Sequence, residues 1–177
     1  MNKVLWCILL STQFVITPVG YSATTPGTEL QFSGTLVADP CTVAPDDENI
    51  DVEITDIIDK YLYINTRTHS KPFSIHLQDC DVETGETVVT RFEGTESTEL
   101  PGYLAMTDAS IGAAVGIEES DGTFLGINKN SRAVQLSDGS VGVNFKAFVE
   151  GEPEAIKNKT VKLGEFTAVA TFFLVYP

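Results

Sequence analysis

The 177-residue sequence sets 25 Asp+Glu against 11 Lys+Arg, a net charge of −14, and such a chain is repelled by nucleic acid and by anionic lipid, which removes both as partners. Hydrophobic residues at 42% with charged residues at 20% suit one globular domain with a buried core rather than a disordered chain.

The N-terminus, MNKVLWCILLSTQFVITPVGYSA, has an early cation (Lys3) and an apolar stretch from Val4 to Ile16. Pro18 and Gly20 follow, then the small residues Ser22 and Ala23. This is the layout of a secretory signal over residues 1–23, cut after Ser22 or Ala23, and it is too short to span a membrane. Its removal takes Lys3 and leaves 10 Lys+Arg against 25 Asp+Glu, a charge of −15. It also takes Cys7, so that Cys41 and Cys80 remain, and an even pair in an exported chain reads as one structural disulfide.

Residues 24–40 form an N-terminal extension. In it Leu30, Phe32, Gly34 and Leu36 alternate with Gln31, Ser33 and Thr35, a strand pattern that ends at Asp39-Pro40. From Cys41 to Pro177 the chain reads as short strands separated by turn residues. Residues 50–54 alternate; FSIHLQDC (73–80) sets Phe73, Ile75 and Leu77 against Ser74, His76 and Gln78; TVVTRFEG (87–94) and YLAM (103–106) follow. AAVGIEE is expected to meet TFLGI across Ser120-Asp121-Gly122, and AVQL to meet VGVNFKAFV across Ser137-Asp138-Gly139, since Asp-Gly supplies the positive φ angles of tight hairpins. Residues 56–72 read as an irregular connection and 152–159 as one or two helical turns. The sum is an all-β, antiparallel, immunoglobulin-like sandwich.

Chemistry is sparse. There are two histidines, His69 and His76, of which His76 lies on the polar phase of its strand, as a surface side chain would. No nucleophile elbow, zinc motif, phosphate-binding glycine loop or calcium loop is present. The acidic clusters, Asp46-Asp47-Glu48 and Glu118-Glu119 among them, are what a chain with 25 acids shows by chance. The expectation is a non-enzyme with no catalytic residue, no metal and no cofactor.

The final stretch, GEFTAVATFFLVYP, is apolar on both phases at its far end. Both faces of such a strand need cover, and with a free strand at the start of the mature chain the pattern is a sandwich lacking its last strand. An unsatisfied sheet edge is an aggregation hazard that a strand from another molecule removes.

FSGTLVADPCTV (32–43), the second cysteine in FSIHLQDC, and an ending with Gly164, alternating hydrophobics and the penultimate Tyr176 resemble the pilin subunits of bacterial chaperone–usher pili over essentially the whole chain. Within that family, FEGTESTELPGYLAMTD (92–108) and GIEESDGTFL (116–125) most resemble the minor adaptor subunits of P-pilus-type tip fibrillae. It implies a donor strand carrying Leu30, Phe32, Gly34 and Leu36. It implies a groove strand carrying Gly164, Phe166, Ala168, Ala170, Phe172, Leu174 and Tyr176, with the Pro177 carboxylate gripped by basic residues of a chaperone. The implied partners are a periplasmic chaperone, an outer-membrane usher and neighbouring subunits, without membrane insertion, in a fimbrium on the bacterial surface. Alternatives are a pilus-terminating or rod-linking subunit of the same family, or a self-contained secreted carbohydrate-binding module.

Overall fold

The computed structural model describes residues 31–34, 38–55 and 57–177, in two units, Met1–Leu36 and Val37–Pro177. In the first unit, residues 31–34 have no regular secondary structure and Phe32 is 89% exposed. The signal expected over 1–23 lies outside the described residues, as do Leu30 and Leu36.

The second unit contains β1 (Thr42–Val43), α1 (Asp59–Asn65), β2 (Lys71–Cys80), β3 (Thr87–Glu93), β4 (Leu104–Ala105) and β5 (Ala113–Glu119), then β6 (Phe124–Leu125), β7 (Val134–Gln135), β8 (Gly139–Gly151), α2 (Pro153–Asn158) and β9 (Thr171–Val175). One sheet runs β1-β2-β8-β5-β4, with β6 also paired to β5; the other runs β7-β3-β9. Every pairing is antiparallel.

Alternation decides which side chains meet between the sheets. The first sheet sends in Ile75 and Leu77 from β2, Val143 and Phe145 from β8, and Val115 and Ile117 from β5; the second sends in Val88 and Phe92 from β3. Phe92 meets Phe145 edge-on at 4.9 Å between ring centroids. Thr90 shares that inward phase with no exposure, and its Oγ1 is buried without a hydrogen-bond partner. Thr90→Val removes that orphan at equal shape and is expected to raise unfolding stability by about 1 kcal/mol. A lowered denaturant midpoint in the valine variant would contradict this.

The outer face of the first sheet has a small core of its own. Phe148, on the outward phase of β8, is fully buried above Gly116, where an added Cβ would collide with the Phe148 ring. Tyr103 covers that ring from one side, edge-on at 5.8 Å, and Arg67 lies over its face.

Three expectations need correction. The Ser120–Gly122 turn does close a hairpin, with Ile117 opposite Leu125, but the similar turn at Ser137–Gly139 does not. There the chain changes sheets, β7 pairing with β3 and β8 with β2 and β5. Residues 56–72 include α1, a helix held by the single buried residue Leu62. Residues 50–54 alternate in burial as expected but join no strand, for reasons that define the site.

Candidate functional site: an open apolar groove

The disulfide is the anchor. Cys41 and Cys80 are joined, both nearly fully buried. On a regular strand Cys80 would share the outward phase of His76 and Gln78. Instead the β2–β8 register shifts between Leu77 and Cys80, with Asp79 at φ 53°, and this bulge turns Cys80 inward.

From Cys41 the chain pairs with β2 only briefly. Thr42 lies opposite Gln78 and Val43 opposite Leu77, and the Ala44 N–H donates to the His76 carbonyl at 2.8 Å. Pro45 then ends the ladder, having no N–H to give, and opens a 3-10 turn, Pro45–Asp47. Asp47 ties that turn back to β2: its Oδ2 lies 2.7 Å from His76 Nδ1 and also accepts the His76 backbone N–H.

Released from the ladder, residues 50–55 and 57 form one wall of a groove. Ile50, Val52, Ile54 and Ile57 are half-buried against the core, while Asp51, Glu53 and Thr55 face out. Among the described residues, no backbone group of this segment bonds to another strand.

The second wall is the stretch from Gly164 to Pro177. Phe166, Ala168, Ala170, Phe172, Leu174 and Tyr176 all sit on the core face, alternating with exposed residues at every odd position from Glu165 to Pro177. The expectation that both faces need cover is therefore refined: the even row packs inward, and Val169, Phe173 and Val175 remain exposed. β9 is laddered to β3, from Val89 opposite Val175 to Glu93 opposite Thr171, and to no other described strand. None of the even row is fully buried, although Thr90 and Phe92, opposite Leu174 and Phe172 in the ladder, are 0% and 5% exposed. Gly164 stands at φ 147°, a backbone that side-chain-bearing residues rarely adopt.

The two walls meet at a cavity of about 70 Å³ lined by Ile57 and Leu62 on one side and by Gly164 and Phe166 on the other, with Met106 and Ile111 among its remaining residues. At the opposite end, burial and then the negative charge of Asp39 raise the Tyr176 hydroxyl above its usual pKa.

Two apolar rows with unpaired backbone edges, on one core, are the mark of an immunoglobulin-like sandwich lacking its last strand. A model of the fimbrial protein family matches residues 30–177, and the chain belongs to that family. It is 36% identical to the major MR/P fimbria protein of Proteus mirabilis over 83% of this chain and 82% of that one. It is 30% identical to the putative minor fimbrial subunit PmfF of the same organism over 99% and 97%. It is 32% identical to the fimbrial adapter PapK of Escherichia coli over 84% and 87%. The fold matches the P pilus rod subunit PapA with a TM-score of 0.69 at 20% identity, covering 78% of this chain and all of that one. The protein is a structural subunit of a surface fimbrium.

Sequence reasoning marked the even row from Gly164 to Tyr176 and the cysteine pair, and the structure brings each set together. Phe32 and Gly34 are exposed, with no atom within 4 Å of where a Gly34 Cβ would stand. The wall formed by Ile50, Val52, Ile54 and Ile57 was missed as part of the site. Its alternation was visible, but nothing in the local pattern distinguishes a wall from a paired strand.

Proposed function

We propose that the groove accepts a strand from another chain. A periplasmic chaperone supplies it first, and at the outer-membrane usher a neighbouring subunit's N-terminal strand replaces it. The accepting residues are Gly164, Phe166, Ala168, Ala170, Phe172, Leu174, Tyr176 and the wall from Ile50 to Ile57. In turn, Leu30, Phe32, Gly34 and Leu36 on the extension from residue 24 to 40 are donated onward by the domain spanning 41–177. One observation carries the reading: an apolar, core-facing row stays half-exposed beside a free edge, opposite a second row in the same condition. A strand laid between them would bury both rows and give both edges ladder partners. Relatives named as an adapter and as a minor subunit support an adaptor role. The cavity beside Gly164 favours a groove usable to that end, and so an accepting subunit over one that terminates the fibre.

The test compares residues 39–177 alone with the same chain carrying a donor strand fused after Pro177. The fusion is expected to be a monomer with a single cooperative unfolding transition, and the unfused chain to aggregate or unfold at lower denaturant. A stable, monomeric unfused chain would overturn the reading.

A further inference from the structure

The groove's first wall carries charge in a regular pattern. Between residues 46 and 59 lie Asp46, Asp47, Glu48, Asp51, Glu53, Asp56 and Asp59, and from Val4 to Asp59 the chain has no Lys, Arg or His at all. Asp51 and Glu53 are exposed and alternate with the inward Ile50, Val52 and Ile54. Neither takes part in an ion pair among the described residues. Of the bases closest in sequence to the two walls, Lys60 and Lys162, Lys162 lines the cavity, where its Nζ donates to Ser110 Oγ at 2.8 Å.

A strand paired along this wall shares its pleat. Its inward side chains join the apolar rows, and its outward side chains stand about 5 Å from Asp51 and Glu53, close enough for cross-strand charge to count. The chain's own donor strand has an unsuitable outward phase: Glu29, Gln31, Ser33 and Thr35 offer one further acid and no base.

We infer that the acidic wall selects its occupant by charge. It takes a strand of a different chain, apolar on the inward phase and bearing Lys or Arg on the outward phase, in preference to the N-terminal strand of a second copy. This rests on the acceptor reading above and adds a direction to it: the subunit is biased toward a foreign neighbour and against a homopolymer. Like charges directly opposite in a sheet destabilise the pair, and opposite charges help it. The bias fades with salt, because exposed charges are screened over about 10 Å at 0.1 M ionic strength.

The test uses two fluorescent peptides covering residues 28–38, one native and one with Gln31→Lys, Ser33→Lys and Thr35→Lys, leaving the inward phase unchanged. Each is added as residues 24–177 refold from denaturant, and binding is read by anisotropy. The lysine peptide is expected to bind about tenfold more tightly at low salt, with the advantage lost at 0.5 M salt. A chain carrying both Asp51→Asn and Glu53→Gln keeps most of the net charge and should bind the two peptides alike. That control separates the wall from the general acidity of the molecule. Equal binding of both peptides at low salt, or an advantage that survives the double substitution, would overturn the charge selection and leave the acceptor reading standing. Failure of both peptides to bind would overturn the acceptor reading, and the selection with it.

Discussion

Replacing both Cys41 and Cys80 by alanine is expected to lower the stability of the strand-complemented protein by about 4 kcal/mol. The two residues are 39 apart in sequence, and releasing a closed loop of that length returns entropy to the unfolded chain on the chain-entropy account. Alanine is the better replacement, because Cys41 and Cys80 are only 5% and 6% exposed and a serine hydroxyl buried there would need a partner. The bond does more than close a loop. It fixes the start of β1 against the bulge at the end of β2, and the Pro45–Asp47 turn and the wall from Ile50 to Ile57 follow directly from it. Donor-strand affinity should therefore fall along with stability. The measurement is the urea midpoint of wild-type and variant proteins carrying the same fused donor, at equal m-values. A loss below 1 kcal/mol, or reduction of the wild-type protein without effect, would show that the bond is not a main support of the fold.

How much could be read in advance depended on how local the cause was. Alternation places side chains on one face or the other without reference to the rest of the chain, so the even row from Phe166 to Tyr176 was legible, as were the inward phases of β2 and β3. Cysteine pairing followed from counting, yet the bulge at Asp79 that makes it geometrically possible left no mark in the pattern FSIHLQDC. Turn chemistry was half informative: Ser-Asp-Gly recurs, but one copy returns the chain to its neighbour and the other sends it to the opposite sheet. That choice belongs to packing between sheets and not to the turn residues. Helix α1 was hidden because seven residues with one buried side chain leave almost no period to detect. Residues 50–55 alternate like a strand because Ile50, Val52 and Ile54 pack on the core while Asp51, Glu53 and Thr55 face out. What local sequence cannot convey is that, among the described residues, no strand pairs with it.

Arg67 and Glu118 were the least legible feature, since the acid looked like one of many and its partners are 48 or more residues away. In the structure Arg67 Nη1 lies 2.8 Å from Glu118 Oε1 and its Nη2 donates to Ser70 Oγ at 2.8 Å, while Ser70 Oγ donates to Glu118 Oε2 at 2.6 Å. The guanidinium rests 3.5 Å from the centroid of the buried Phe148 ring. Arg67→Ala is expected to destabilise the protein by about 2–3 kcal/mol, below the roughly 3–5 kcal/mol for breaking a fully buried pair, because the Arg67 side chain is 36% exposed while Glu118 is 6% exposed. Arg67→Lys should recover little of this, since an ammonium cannot grip Glu118 and Ser70 together while stacking on Phe148. The pH dependence separates charge from packing. Burial by itself pushes the Glu118 carboxyl up, but the hydrogen bonds from Arg67 and Ser70 and the Arg67 charge outweigh it and hold the group below the ordinary glutamate value of 4.5. The native state therefore binds its proton less readily than the unfolded chain does, so the pair's contribution is complete above pH 4.5 and is lost as the pH falls below it. Without Arg67, burial is opposed only by the Ser70 hydrogen bond and the charge of Lys146, and the variant's carboxylate protonates more readily in the fold. The stability gap between wild type and Arg67→Ala should thus be widest at neutral pH and narrow toward pH 3. A gap that stays constant across that range would mean that Arg67 acts through its contact with Phe148 and not through its charge.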